Sequence, residues 1–217
     1  MNTTATNANG IFGVPFAAEA GALAAGLRQS VVLVDAGRGR HGSGVFWESP
    51  WPNAALVLTN DHVLAALGRP SNALVELENG RRLPATVAAR DARRDLAALR
   101  VPLAPGLPPP VPVGDASALR VGEIVVAVGN PWGVRGAATL GIVSGSAGGE
   151  PNALLQADVA LAPGNSGGPL ADARGRVVGI ACMIVSPGIA LAVPTGAVAR
   201  FLAEAFGAEP AAVRRAA

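Results

Sequence analysis

The sequence contains no lysine and no tyrosine, one cysteine, Cys182, and two histidines, His41 and His62. Each shortage removes a class of function. A phosphate-binding loop of the Walker type needs a lysine to reach the terminal phosphates, so the glycine-rich "GSAGG" at 145–149 is not one. One cysteine cannot close an intramolecular disulfide, so packing must hold the fold together. Cys182 lies in the apolar run "VVGIACMIVS" and reads as a small buried core residue. Neither it nor the histidines has metal-ligand spacing, and no metal or cofactor is expected. The 17 basic residues, all arginine, face 15 acidic ones, for a net charge of +2. The pairs Arg81 and Arg82, Arg93 and Arg94, and Arg214 and Arg215 lie far apart without interleaved aromatics. A nucleic-acid groove concentrates such charge and adds stacking platforms, so no nucleic-acid partner is expected. No apolar run approaches the ~20 residues of a membrane span. The first 30 residues lack a basic start followed by an apolar core and a cleavage site. As it stands the sequence reads as a soluble, unexported chain, cytoplasmic as given, with export left open if the native start is longer.

What is present is glycine and proline, 28 and 18 residues, with half of the 217 positions hydrophobic. That is too much turn former for a helical bundle and too little for a low-complexity chain. Short apolar or alternating runs bounded by glycine, proline or asparagine fill the chain from "SVVLVDAG" to "GIALAVP", the pattern of an all-β barrel or sandwich. Asn79 and Gly80 separate two strand-like segments, a strong hairpin signal. "PLAPGLPPPVP", residues 102–112, can be neither helix nor central strand and reads as a linker between two similar halves. An alanine-rich stretch from Pro15 to Gln29 predicts a short helix, and another helix is predicted from Thr195 to Phe206, closed by Gly207.

"PGNSGGPL", residues 163–170, places Ser166 among small and turn-forming residues. A serine hydroxyl is a poor nucleophile unless a base takes its proton, and imidazole does this best near neutral pH. His62, in "VLTNDHVLAAL", ends an apolar strand where the chain turns into a short helical segment; His41, in "GRGRHGSGVF", sits in what reads as an exposed loop. A base must be held firmly, which favours His62. Its imidazole needs an acid on the far nitrogen. Asp95 opens the buried run "LAALRV", whereas Asp91 sits amid arginines and Asp61, beside His62, points away from the ring. The alternative for Asp95 is a surface ion pair with Arg93, Arg94 or Arg100. Gly164 lets the chain adopt the strained turn that aims amides at a developing oxyanion, with Gly164, Asn165 and Ser166 forming the hole and the Gly164 and Ser166 N–H groups donating. Gly167 and Gly168 leave the substrate's approach unblocked.

"TNDHV", "RRDLAALRV" and "PGNSGGPL" follow in the order His, Asp, Ser, 33 and 71 residues apart, the chain order of chymotrypsin-like double barrels. Here the sequence resembles the trypsin-like serine proteases, most of all the protease domain of the HtrA (Deg) family. "VGDASALRVGEIVVAVGNPWG", "LGIVSG", "LLQADVALAPGNSGGPLAD", "GRVVGIA" and "GIALAVPTGAVARFL" continue the resemblance, which covers about residues 28–205. It implies two packed antiparallel Greek-key barrels, about 30–103 and 111–195, after an arm at 1–27 and before a tail at 206–217. It also implies a serine endopeptidase acting on protein or peptide substrates, unfolded or damaged ones among them, and a homo-oligomer, a trimer in that family. The pocket for the residue before the scissile bond would be lined by Ala160, Leu161 and Ala162 and by Ile180, Ala181 and Cys182. With no acid there, it would suit small aliphatic side chains. Family members usually continue into PDZ domains, and no PDZ domain is expected here. A catalytically silent or chaperone-like double barrel would share the fold, and only reaction at Ser166 separates it from a protease.

Overall fold

The computed structural model describes residues 14–37, 39–65, 72–147, 153–186 and 188–207. Residues 1–13 of the expected arm at 1–27 and residues 208–217 of the expected tail at 206–217 lie outside the described residues, as do residues 148–152, which include the end of "GSAGG". Helix α1 spans Val14–Gln29, as its alanine content predicts. It stops where the β-branched run beginning at Val31 favours extended backbone.

Six strands form the first barrel: β1 Val31–Asp35, β2 His41–Trp47, β3 Ala54–Thr59, β4 Asn72–Glu76, β5 Arg82–Asp91 and β6 Leu96–Pro102. They close in the ring order β1-β2-β3-β6-β5-β4 through antiparallel pairs, β4 returning to β1. The β4–β5 turn sits at Asn79 and Gly80, as its chemistry demands. Gly80 has φ +82°, which an L side chain rarely adopts, and the Asn79 side chain accepts from the Arg81 amide at 3.0 Å.

The second barrel consists of β7 Ile124–Gly129, β8 Ala137–Ala147, β9 Leu154–Asp158, β10 Pro169–Asp172, β11 Val177–Ser186 and β12 Ile189–Pro194. Its ring, β10-β11-β12-β9-β8-β7, repeats the order of the first barrel strand for strand. The likeness of the two halves noted in the sequence is therefore topological. Strand β10 is the one the sequence pattern does not announce, because four residues directly behind the glycine-rich serine turn are too few to show alternation.

Three apolar cores result, one inside each barrel and one between them. The strands facing the partner barrel are buried on both faces, which explains their unbroken apolar runs. In β6, Ala97 and Leu99 point into the first barrel while Leu96 and Ala98 point into the shared core. In β7, Val125 and Ala127 fill the second barrel while Val126 and Val128 face the first. Leu27 of α1 joins this shared core, as do Val198 and Phe201 of helix α2, Thr195–Phe206. Helix α2 ends at Gly207 in the left-handed conformation, φ +64°. Leu99 is fully buried in the first barrel's core. Leu99→Ala should therefore lower unfolding stability by about 2–5 kcal/mol, read as a shifted denaturant midpoint with an unchanged slope.

Candidate active site

The pairing of β3 with β6 brings together two loops far apart in sequence. Thr59 lies opposite Ala97, so the residues leaving β3 and those entering β6 sit side by side. Directly after β3 a short 3₁₀ turn, His62–Leu64, buries Val63 and Leu64 and leaves the imidazole free to face outward. Its Nδ1 lies 2.7 Å from Asp95 Oδ2, and its backbone N–H donates to Asp95 Oδ1 at 3.0 Å. The Asn60 side chain donates to the Asp95 carbonyl at 2.7 Å. Holding the acid this way costs backbone strain: Asp95 has φ +54°, the left-handed region. A carboxylate on Nδ1 keeps the hydrogen there and leaves Nε2 with a lone pair, the form a base needs.

The other acids are engaged elsewhere. Asp61 pairs with Arg90, and Asp91 with Arg94, which also holds Glu204 of α2 by two bonds of 2.7 Å each. Asp95 pairs with His62 and not with a surface arginine.

Ser166 lies in a tight loop carried by the second barrel. The Asn165 amide donates to the Ala162 carbonyl and the Gly168 amide to the Asn165 carbonyl, at 3.0 and 2.9 Å. Gly164 and Gly167 have φ +105° and +88°. A methyl group on Gly164 would lie 2.4 Å from the Asn130 carbonyl oxygen. The amides of Asn165, Gly167 and Gly168 are satisfied internally, whereas among the described residues those of Gly164 and Ser166 have no acceptor. Two unspent donors flanking a serine can receive a developing negative charge.

Gly167 and Gly168 differ from the sequence expectation. They face inward, and a methyl group would meet the Ser43 carbonyl at 2.0 Å in one case and the Val128 carbonyl at 2.2 Å in the other. Backbone carbonyls close on both, that of Ser43 in the first barrel on Gly167 and that of Val128 in their own barrel on Gly168.

His62 and Ser166 open onto one cleft of about 360 Å³, lined also by Gly39, Arg40, His41, Val63, Trp132, Pro163 and Gly164. His41, expected in an exposed loop, is the exposed first residue of β2 and one wall of this cleft. Among the described residues no cluster of three His, Cys, Asp or Glu could hold a metal ion, and no helix is long and apolar enough to cross a membrane.

Residues 42–180 match the family model of the trypsin-like peptidase domain. The chain belongs to the trypsin-like peptidase domain family. Serine protease HTRA1A of Danio rerio is 37% identical over 159 residues, covering 70% of this chain and 32% of that protein. Serine protease PepD of Mycobacterium tuberculosis is 35% identical over 186 residues, 76% of this chain and 39% of that one. A solved structure of the HtrA-type protease AlgW with a tripeptide superimposes with a TM-score of 0.75 at 28% identity, covering 85% of this chain and 62% of that chain. The chain thus spans about a third of the length of these curated relatives.

Within this trypsin-like peptidase domain, two residues that the sequence reading missed hold the serine loop. Ser43, fully buried on β2, donates from Oγ to the Gly164 carbonyl at 2.6 Å and from its backbone N–H to the Ser166 carbonyl at 2.7 Å. The Asn130 backbone N–H donates to Ser43 Oγ at 2.8 Å, and its side chain donates to the Val32 carbonyl at 2.8 Å. The node joins β2 of one barrel to the β7 end of the other, beneath the loop that carries Ser166.

The six residues expected to line a specificity pocket lie outside this cleft. Ala160 is exposed, Leu161 and Ala162 are half-buried, and Ile180, Ala181 and Cys182 are buried. Ile180 and Cys182 belong to the shared core between the barrels, and Leu161 packs against the core of the second. Burial, with a smaller contribution from the Asp95 carboxylate, pushes the Cys182 thiol up to about 12.

Two outcomes follow from this geometry. Iodoacetamide at about pH 8 should leave Cys182 of the folded protein unmodified, since almost no thiolate exists there, and should label it once the protein is unfolded in denaturant. Ser43→Ala strands the Gly164 carbonyl and the Asn130 amide, so it should lower stability by about 1–3 kcal/mol in denaturant titration.

Proposed function

We propose that this chain is the catalytic domain of a serine endopeptidase, with Ser166 as nucleophile, His62 as general base and Asp95 as the acid that orients the imidazole. One observation carries the reading. An imidazole held by a carboxylate at 2.7 Å opens onto the same cleft as a serine whose own amide, and that of Gly164, are left unpaired.

In this reading His62 Nε2 takes the Ser166 proton as Oγ attacks a peptide carbonyl. The Gly164 and Ser166 amides hold the oxygen as it becomes negative, and Asp95 stabilises the imidazolium. The imidazolium then gives its proton to the leaving amine. An acyl-enzyme remains, which water hydrolyses with His62 again acting as base. The Asn165 peptide contributes through geometry: its N–H donates to the Ala162 carbonyl and closes the turn on which the Gly164 and Ser166 amides sit.

The preference we propose before the scissile bond is for small aliphatic side chains. What supports it is the character of the two flanking segments, Ala160 to Ala162 and Ile180 to Cys182, which contain no charged group that could neutralise a bound lysine or arginine. Unfolded polypeptide is the proposed substrate class, because an extended segment with such a side chain is buried in most folded proteins.

The test is a fluorophosphonate probe and unfolded casein, applied to the wild type, Ser166→Ala and Asp95→Asn. The wild type should label at Ser166 and degrade casein, Ser166→Ala should do neither, and Asp95→Asn should lose turnover by ~10⁴-fold with its fold intact. A folded wild type that neither labels nor cleaves would sink the proposal and leave the silent double barrel standing.

A further inference from the structure

The cleft beside Ser166 carries an unbalanced charge. Its titratable lining residues are Arg40, His41 and His62, and among the described residues no carboxylate lines it. His62 is committed to Asp95. Arg40 and His41 have no ion pair or side-chain hydrogen bond among the described residues, although most arginines of the barrels do, such as Arg82 with Glu76, Arg94 with Glu204 and Arg176 with Asp172. The residue opposite His41 in the β1–β2 pair is an acid, Asp35. Its Oδ1 accepts from the Gly37 amide at 2.8 Å, and it does not line the cleft.

The root of Arg40 is fixed. The Arg40 amide donates to the Gly37 carbonyl and its carbonyl accepts from the Ala36 amide, both at 3.0 Å, so a tight turn delivers the residue to the mouth of β2. From the other barrel comes Trp132, 72% exposed and therefore unused by the core. It too is held in place: its backbone N–H donates to the Pro163 carbonyl at 2.9 Å, and its φ of +54° is one that a non-glycine residue keeps only when its surroundings hold it there. A fork of guanidinium donors, a second base and an exposed indole face, all anchored by backbone, make a site for a carboxylate on a short apolar stem.

We propose that Arg40, His41 and Trp132 form a subsite for an acidic side chain, glutamate or aspartate, on the leaving-group side of the scissile bond. The assignment rests on reading Ser166 as the nucleophile. The side follows from the two segments proposed to flank the residue before the scissile bond, 160–162 and 180–182, both of which lie outside this cleft. The cleft that contains His62 is then left for the residues after the bond, whose amine His62 must protonate. Arg40 supplies the paired donors for the carboxylate, His41 adds a donor, and Trp132 covers the methylene stem. The enzyme would thus cut where an aliphatic residue is followed closely by an acidic one.

The experiment uses two internally quenched peptides with valine before the cleavage site, identical except for glutamate or glutamine at the first two positions after it. The wild type should hydrolyse the glutamate peptide with kcat/KM roughly 3- to 5-fold higher, the range expected for one partly exposed charge pair. The ratio should fall towards one in about 1 M salt, where exposed charges are screened, and also in Arg40→Gln. The same two peptides are titrated against Ser166→Ala, following tryptophan fluorescence, so that the preference is read without turnover. Equal affinities for both peptides, or a ratio unchanged by Arg40→Gln, would overturn the subsite while leaving the nucleophile assignment intact. Absence of both cleavage and fluorophosphonate labelling would overturn the nucleophile, and the titration would still decide whether the cleft selects acid.

Discussion

The backbone and hydroxyl of Ser43 are the point on which the site depends. The residue belongs to the first barrel, yet it donates to the carbonyls of both Gly164 and Ser166 on the second, at 2.6 and 2.7 Å. His62 and Asp95, the proposed base and its acid, ride on the first barrel and Ser166 rides on the second, so their alignment is only as good as the contact between two closed sheets. Chemistry of this type tolerates misplacement of well under an ångström. A purely apolar interface is close-packed but non-directional, and apolar side chains alone could let the barrels slide before they separate. The hydrogen bonds of Ser43 and Asn130 are directional and buried, so a slide would leave several polar groups unsatisfied at once. The apolar core supplies the adhesion and the polar node supplies the register.

Strain gathers around the same place. Asp95 and Trp132 are the non-glycine residues with positive φ among those described, and both border the site. Each is held by hydrogen bonds to a neighbouring segment: Asp95 by Asn60 and His62, Trp132 by Pro163. Strained residues of this kind cost of order 1–3 kcal/mol each and persist only where the surroundings overdetermine them. The shared core, to which β3, β6, β7, β11, β12 and both helices contribute, is large enough to hold them. Glycine does the complementary work at Gly164 and Gly167, where φ is positive and a methyl group would strike backbone.

Much of this was legible in the sequence, and what was not shares one cause. The strands showed because alternation and unbroken apolar runs both follow from burial, on one face or on two. The β4–β5 hairpin showed because Asn79 and Gly80 answer a local requirement of the turn. That His62 meets Asp95 and shares a cleft with Ser166 was legible because each sits at the edge of such a run, in a chain order that three unrelated segments would rarely produce together. Ser43 and Asn130 did not show. Their partners lie 121 and 87 residues away, and in "HGSGV" and "VGNPW" they look like turn residues with local duties. Gly167 and Gly168 were legible as necessary but not for what, since the atoms that exclude a methyl group belong to distant carbonyls. Strand β10 was hidden by its own length. Sequence pattern reports what a residue does for its own element, and the contacts between barrels leave no period to read.

Helix α2 shows how the two kinds of contact divide the labour a second time. Val198 and Phe201 sit in the shared core, and Thr195 donates to the Gly114 carbonyl at 2.9 Å, so the helix is anchored on the shared core and on the segment that follows the linker. Its far end reaches the first barrel, where Phe206 packs edge-on against Trp51 at 5.0 Å and Glu204 pairs with Arg94. The Glu204 side chain is 61% exposed, so this pair adds little to stability by itself. Its effect is geometric. Arg94 immediately precedes Asp95 and also holds Asp91, so a carboxylate of α2 grips the short loop that delivers the acid to His62. The two barrels, the closing helix and the strained acid are thereby parts of one mechanical unit. The apolar contacts decide that the helix stays, and the charged ones decide where the loop beneath it sits.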